Sequence, residues 1–393
     1  MADTKILPPP VPVSLAAALV FYVLFWPINM QDMGYDYVPW LSHIIAKGPL
    51  NAFSVPFAAY TPPYLYLLAI VSPLHDLLPL ATLVKLVSLA GTVALAASLW
   101  RLLTTLEAPH AARWAALVLA LPTTVLNAAL LGQSDALWAA PCLMALDAAI
   151  RRKHGAMLLW CGLALAFKMQ AVLFAPFVAA VLINRKVNPA LWLLAPLGYA
   201  AAMFPAFALG WPARDLALIY FRQATTFPGL SLNAPNIWFV VEGVAPRIAP
   251  TLSGLAVASA AVASALYVAR FSARMPAGAR MLPVALLATL ITAGLLPHMH
   301  ERYFFLADLI ALGWAIVSQE RRAWAAALLI QAGSTLALGS YVFGASWLVA
   351  IGFLAMATAT VLVLAPILKP LAGDNPLMLR TLRRAPLHER PTM

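Results

Sequence analysis

Acidic residues are scarce: only 14 Asp and Glu occur in 393 residues, and charged residues of all kinds make up 10%. Such a chain cannot cover a water-soluble surface, because 63% of it is hydrophobic and its mean hydropathy is +0.86. Cysteine is nearly absent as well. Cys142 and Cys161 both lie within apolar runs, which leaves no support for a disulfide framework or a cysteine metal cluster. A Gly-rich phosphate loop, a nucleotide fingerprint, a Ser-His-Asp order, a low-complexity linker and an internal repeat are also lacking. The opening "MADTKILPPPVP" has no basic leader region, and no small-residue cleavage site follows the first apolar run (13–28), so that run reads as a retained span.

What is present is a series of apolar runs of roughly 15 to 24 residues, the length that crosses a bilayer as helix. The sequence therefore predicts an all-α polytopic membrane protein with a single transmembrane domain over 1–368 and a basic cytoplasmic tail over 369–393. The net charge of +11 does not call for nucleic acid. Its basic residues gather in "RRKH" (151–154), "NRK" (184–186), "RFSARMPAGAR" (270–280), "QERR" (319–322) and the tail, as cytoplasmic loops do. The remaining connections then face outside: 29–61, 131–135, the surroundings of Lys168, 211–250, 297–302 and 341–345. Three apolar runs lie between the first outside loop and "GQSD", where an even number must cross, so the short, Pro-led 62–74 run is expected to be re-entrant. About twelve crossings, within roughly 11 to 13, are expected.

Within the first outside loop, "NMQDMGYDYVPW" carries two of the few carboxylates, Asp32 and Asp36, one helical turn apart. Met33, Tyr37, Leu41 and Ile44 recur at helical spacing, with Asp32, Asp36 and His43 on the opposite face. This predicts an amphipathic helix at the interface. Its carboxylates are either solvated loop residues or a general base or metal ligand held at membrane level.

Other ionisable residues fall on the same side: Asp135 in "LLGQSDALW", Lys168 in "LAFKMQAVLFAP", and His298, His300, Glu301 and Arg302 in "LLPHMHERYFF". Each alone has an ordinary reading. Asp135 could cap a helix, Lys168 could snorkel, and "HMHER" could be a plain loop. Four such sites on one side of a membrane favour a shared cavity, since charges there are expensive. Carboxylates supply a base, while Lys168, Arg302, His298 and His300 supply donors and positive charge suited to a phosphate. The two His of "HMHE" are too close for a zincin site.

These landmarks occur in an order that resembles the GT-C glycosyltransferases, polytopic enzymes that take sugar from a polyprenyl-phosphate carrier on the non-cytoplasmic side. The ordered set is Asp after the first span, "FAAYTPPYLYLL", "LLGQSDALW", "LAFKMQAVLFAP", "LSLNAPNIWF" and "LLPHMHERYFFLAD". It covers about 13–320 and is similar to bacterial members of the superfamily, and more distantly to the dolichol-linked glucosyltransferases of N-glycan assembly. The resemblance implies a GT-C-like bundle and an inverting transfer of a hexose of mannose or glucose type to a hydroxyl of a lipid or glycan acceptor. It places the enzyme in the bacterial inner membrane with its site facing the periplasm.

By position, Asp32 matches the first-loop Asp, with Asp36 second. Those glucosyltransferases carry their catalytic Asp just before Tyr-Pro-Pro, where this chain has Ala58 and Ala59. The resemblance further implies donor-phosphate binding by Lys168, His298, His300, Arg302 and Arg222. Substrate contacts are implied for Tyr60, Gln133, Asp135, Gln170, Glu301, Trp40, Asn233 and Asn236, although turn capping explains both Asn residues as well. No cofactor is required, but Asp32 with Asp36 could hold a divalent ion, Mg or Mn. The expected partners are the lipid-linked sugar donor, the acceptor and membrane lipids, with the enzyme a monomer. A transporter or flippase for a lipid-linked or small polar substrate is the alternative.

Overall fold

A computed structural model describes residues 6–224 and 229–368, so the expected tail over 369–393 lies outside the described residues. The chain is almost entirely helical. In order come α1 (Val11–Phe25), α2 (Val38–Lys47), α3 (Pro62–Val71), α4 (Leu80–Thr105), α5 (Ala111–Val118) and α6 (Pro122–Val125). They are followed by α7 (Asp135–Ile150), α8 (His154–Phe167), α9 (Ala175–Asn184), α10 (Pro189–Trp192), α11 (Leu194–Ala208) and α12 (Ala213–Ala224). The set ends with α13 (Ile237–Val244), α14 (Ser253–Ala273), α15 (Met281–Leu295), α16 (Phe305–Ser318), α17 (Arg321–Phe343) and α18 (Trp347–Leu368).

Six of the described helical segments are long and apolar enough to cross a membrane, or seven if the bent pair at 111–130 is one span. The expected twelve are not reached by full-length helices, because several apolar runs are interrupted. Lys168 adopts an extended conformation, φ −158° and ψ 142°, and separates α8 from a 3₁₀ turn at Met169–Phe174 and α9 beyond it. Each half is then a short apolar helix. The 62–74 run is likewise short, α3 continuing into a 3₁₀ turn.

Basic residues collect at one end of the bundle. Asp147 near the C-terminus of α7 accepts from Arg101 at 3.2 Å, lies 3.5 Å from Arg151 and accepts from Thr105 Oγ1 at 2.5 Å. Asn184 donates to Ser272 O at 2.9 Å, which brings the 184–186 and 270–280 loops together. The opposite ends of the same helices carry Asp135 and Lys168, about 22 Å away along α7 at 1.5 Å per residue. Two chemically distinct ends therefore exist, one basic and one mixed.

The 29–61 loop, expected to face outside, carries a helix as expected, and Met33, Tyr37, Leu41 and Ile44 are all buried. Its opening turn at Met33–Tyr37 is a π-turn. Pro39 follows within the same run of helix, and a wide turn accommodates a ring that would otherwise clash with the preceding turn's carbonyl. This loop packs with α3 and α4 in a core of its own that includes Trp40, Tyr64, Leu65 and Trp211. A two-residue parallel pairing, Ser231 with Met299 and Leu232 with His300, ties the 229–233 segment to the "HMHER" loop.

Candidate functional site

Three chain segments distant in sequence meet at the mixed end. The loop before α7 delivers Gln133 and the start of α7 delivers Asp135, the break after α8 delivers Lys168, and the loop before α16 delivers Glu301 and Arg302. All five are buried. Asp135 is held on every side: Lys168 Nζ lies 2.6 Å from Oδ1, Asn127 Nδ2 donates to Oδ2 at 2.7 Å, and Trp138 Nε1 donates to Oδ1 at 3.1 Å. Buried charges persist only when paired and hydrogen-bonded in this way.

Gln133 is the hub between that pair and the first loop. Its Oε1 accepts from Tyr37 Oη at 2.6 Å and, more loosely, from Tyr60 Oη and Lys168 Nζ at 3.4 Å each. Its Nε2 donates to Asp32 Oδ2 at 2.7 Å. The other Asp32 oxygen accepts from Tyr341 Oη at 2.9 Å, and Arg302 Nη2 stands 3.9 Å from Oδ2. The Asp32 side chain remains 28% exposed, against 1% for Asp135 and Glu301. It is the accessible carboxylate of this hydrogen-bonded network.

Arg302 joins the carboxylates. It is ion-paired with Glu301, and its Nε lies 3.6 Å from Asp135 Oδ2. That separation allows attraction but exceeds hydrogen-bonding reach, so this buried N–H has no hydrogen-bond partner among the described residues. Burial pushes the Glu301 carboxyl up, but Arg302 and then His300 outweigh it and hold it at about 2. Asp36 behaves oppositely. Burial first, and then the charge of Asp32, raise its pKa above the usual carboxylate value against the pull of Arg302. The two aspartates are therefore not equivalent: Asp32 is fixed by donors, and Asp36 has its pKa raised.

The aromatic members face each other. Tyr60 lies edge-on to Tyr37 and 5.0 Å from Trp40 between centroids, with Lys168 Nζ 5.3 Å from the Tyr60 ring centre. Trp40 is buried in this cluster and acts as its floor. Gln170, two residues beyond Lys168, is buried, and its Oε1 has no partner among the described residues.

Four expected site residues are engaged elsewhere. His298 Nδ1 lies 2.6 Å from Gly229 O, and its backbone N–H donates to Leu230 O, so it staples the paired segment. Asn236 caps α13 by accepting from the N–H groups of Trp238 and Phe239. Asn233, at φ +59°, bridges to His300 through its backbone. Arg222 is ion-paired with Asp215 on its own helix, beside Ala59 and not among the buried charges. His300 does reach the cluster, its Nδ1 3.7 Å from Glu301.

No protein-family model matches the chain, and no curated protein matches it. The site must be read from its own chemistry.

Sequence reasoning missed three contributors. Tyr341 sits at the last turn of α17, and Tyr37 reads in the sequence only as part of an apolar face, yet both hydroxyls belong to the network. Lys85 on α4 is fully buried, and its ammonium donates to Trp26 O at 2.7 Å and Ile28 O at 2.5 Å. It satisfies the carbonyls where α1 ends and so anchors the chain four residues before Asp32. A lysine inside an apolar span was the available signal. Gly132 completes the local design: it takes φ +63°, and a Cβ there would come within 2.5 Å of Met33 Cε. The left-handed backbone angle is what favours glycine at the start of the Gln133 loop.

Among the described residues, no three His, Cys, Asp or Glu side chains gather as a metal-ligand group. Both Asp32 oxygens accept hydrogen bonds from side chains, one from Gln133 and the other from Tyr341.

Proposed function

We propose that this protein is an inverting membrane glycosyltransferase of GT-C type. It moves a hexose of mannose or glucose type from a polyprenyl-phosphate donor to a hydroxyl of a lipid or glycan acceptor, at the periplasmic face of a bacterial inner membrane. The observation that carries this reading is Asp32: a part-exposed carboxylate aimed by Gln133 and Tyr341 beside the buried Arg302.

In the proposed step the acceptor oxygen attacks the anomeric carbon and its proton passes to Asp32. The bond from that carbon to the phosphate oxygen breaks, and the lipid phosphate leaves with the electron pair. The anomeric configuration inverts. Arg302, Lys168 and His300 supply positive charge and donors where the phosphate becomes more negative, the arrangement that lowers such barriers. The Nε of Arg302, without a hydrogen-bond partner among the described residues, is a donor for that purpose. Asp32 acts as general base, which positioned carboxylates contribute at about 10²–10⁴-fold.

A second reading has one observation in its favour. Four carboxylates, Asp32, Asp36, Asp135 and Glu301, meet two permanent cations, Lys168 and Arg302. That balance suits a cationic solute, as in a transporter. The raised pKa of Asp36, from burial and the charge of Asp32, works against all four carboxylates being ionised together. The two readings separate cleanly by experiment. In proteoliposomes loaded with polyprenyl-phosphate hexose, Asp32→Asn should abolish transfer to acceptor while the protein still purifies as a single species. Full transfer by that variant would sink the enzyme assignment, and solute flux with an unchanged lipid-linked sugar pool would establish the transporter.

A further inference from the structure

At the basic end of the bundle, the loop after α7 carries Arg151, Arg152 and Lys153, and the loop after α9 carries Arg185 and Lys186. Both loops close tightly. Arg152 and Lys186 take left-handed angles, φ +58° and +50°. The residues after them donate back to the ending helix, Lys153 N–H to Ala148 O at 2.8 Å and Val187 N–H to Leu182 O at 3.0 Å. Asn184 Nδ2 donates to Ser272 O at 2.9 Å, and Arg185 Nη2 stands 3.5 Å from Pro276 O, so the second loop is also pinned to the end of α14. The cations are therefore presented from a fixed backbone.

Counter-charge is scarce there. The stretches 148–214 and 243–300 contain no Asp or Glu. Asp147 is taken by Arg101 and Arg151, and no ion pair among the described residues reaches Arg152, Lys153, Arg185 or Lys186. Arg152 and Arg185 stand within electrostatic reach of one another. Burial, and then the charge of Arg152, holds the Arg185 guanidinium below its usual pKa. Like charges held together without compensation make a surface that attracts an anion.

What lies beside the cations tells which anion fits. α10 starts at Pro189, three residues after Lys186, and its Leu191 and Trp192, with Leu193 and Leu197 beyond them, are 39–61% exposed. Leu194 Cδ1 lies 3.3 Å from the place where a Cβ on Gly155 would stand, so this apolar surface abuts the start of α8, three residues beyond Arg152. Trp192 Nε1 donates to Val187 O at 3.2 Å, which turns the indole towards the loop that carries Arg185. A soluble anion would leave those leucines without a partner. A phospholipid matches both parts, phosphate for the guanidinium pair and acyl chains for the leucines, with a tryptophan at the boundary between them. We propose that Arg152 and Arg185, with the start of α10 and α11, form a docking site for an anionic phospholipid, its phosphate bonded by the two guanidinium groups and its acyl chains along Leu193 and Leu197. It does not depend on the transferase reading, since it concerns the opposite end of the bundle.

The test is native mass spectrometry of the full chain, titrated in detergent with dioleoyl phosphatidylglycerol or, as the neutral comparison, dioleoyl phosphatidylcholine. Phosphatidylglycerol should bind about 25-fold more tightly. Arg152→Gln and Arg185→Gln should each weaken it about fivefold, and together they should erase the preference, as expected for two cations at one headgroup. Arg113→Gln with Arg321→Gln removes two charges from the same end, on α5 and α17, and should weaken binding less than about twofold, because charges beyond about 10 Å are screened. If Arg185→Gln fails to fold, Arg152→Glu decides: that side chain is exposed, and reversing its charge should by itself remove the preference. The proposal fails if phosphatidylcholine binds as tightly as phosphatidylglycerol, or if the α5 and α17 pair of changes weakens binding as much as the Arg152 and Arg185 pair does. It fails equally if inorganic phosphate at the lipid's own concentration displaces the lipid.

Discussion

Gln133 donates to Asp32 across 101 residues of sequence, at 2.7 Å. The same amide accepts from Tyr37 on its oxygen side, so its orientation is set from both ends and the Asp32 carboxylate inherits that order. If Asp32 is the base, its reach to the acceptor depends on this amide. Gln133→Leu should lower kcat by about 10–100-fold with a smaller change in KM, the size seen when the support of a reacting group is removed. Steady-state transfer assays across donor concentration read the two constants separately, and an unchanged kcat would show that Asp32 needs no such support.

The buried Lys168–Asp135 pair should be costly to break and cheap to replace. Removing one partner, as in Lys168→Met, leaves Asp135 uncompensated except by Arg302 and should destabilise by about 3–5 kcal/mol. Adding Asp135→Asn to that variant should restore part of the loss. A double-mutant cycle read by unfolding in detergent measures the coupling, and simple additivity of the two changes would disprove it.

Much of this arrangement is legible in the residue pattern alone. The face formed by Met33, Tyr37, Leu41 and Ile44 is buried, and Asp135, Lys168 and Arg302 meet. The physical reason is simple: charges beside apolar spans must find one another or water. Tyr341 and the Tyr37 hydroxyl are not legible in that way, because a tyrosine in an apolar helix reads as packing until its tip is located. Arg222 shows the converse error. An arginine on the expected side suggests a phosphate ligand, but Asp215 seven residues earlier on the same helix holds it. The number of full-length spans is not legible either, because apolar length does not reveal where a helix breaks, as it does at Lys168.

Gly132→Ala should be disproportionately harmful for a one-carbon change. It forces a side chain into φ +63°, which costs on the order of 1–2 kcal/mol, and pushes against Met33 Cε, the end of a flexible side chain. Measured against Met33→Ala alone, whose cavity has its own cost, adding Gly132→Ala should cost only the backbone strain, because the contact is gone. Thermal unfolding of the three variants would reveal this, and a Gly132→Ala that costs nothing in the Met33→Ala chain would show that the backbone angle carries no penalty.

Glu301 and Asp36 should pull stability in opposite directions with pH. Glu301 has its folded pKa depressed, from 4.5 to about 2. Its stabilisation is therefore fully present above about 4.5 and is lost as pH falls towards 2, and for so buried a group it is roughly 3 kcal/mol. Asp36 has its pKa raised by burial and by Asp32, so ionising it in the folded chain is unfavourable. Its penalty is fully present once pH exceeds that raised value and vanishes below the ordinary value of 3.8. Asp36→Asn should accordingly raise the unfolding temperature at pH 7 and leave it unchanged at pH 3. Glu301→Gln should lower it at pH 7, with the deficit shrinking below about pH 4.5 as Glu301 of the unfolded native chain takes up its proton. Unfolding curves from pH 3 to 8 on the native chain and both variants measure the two trends, and a parallel pH response of all three would refute the assignment.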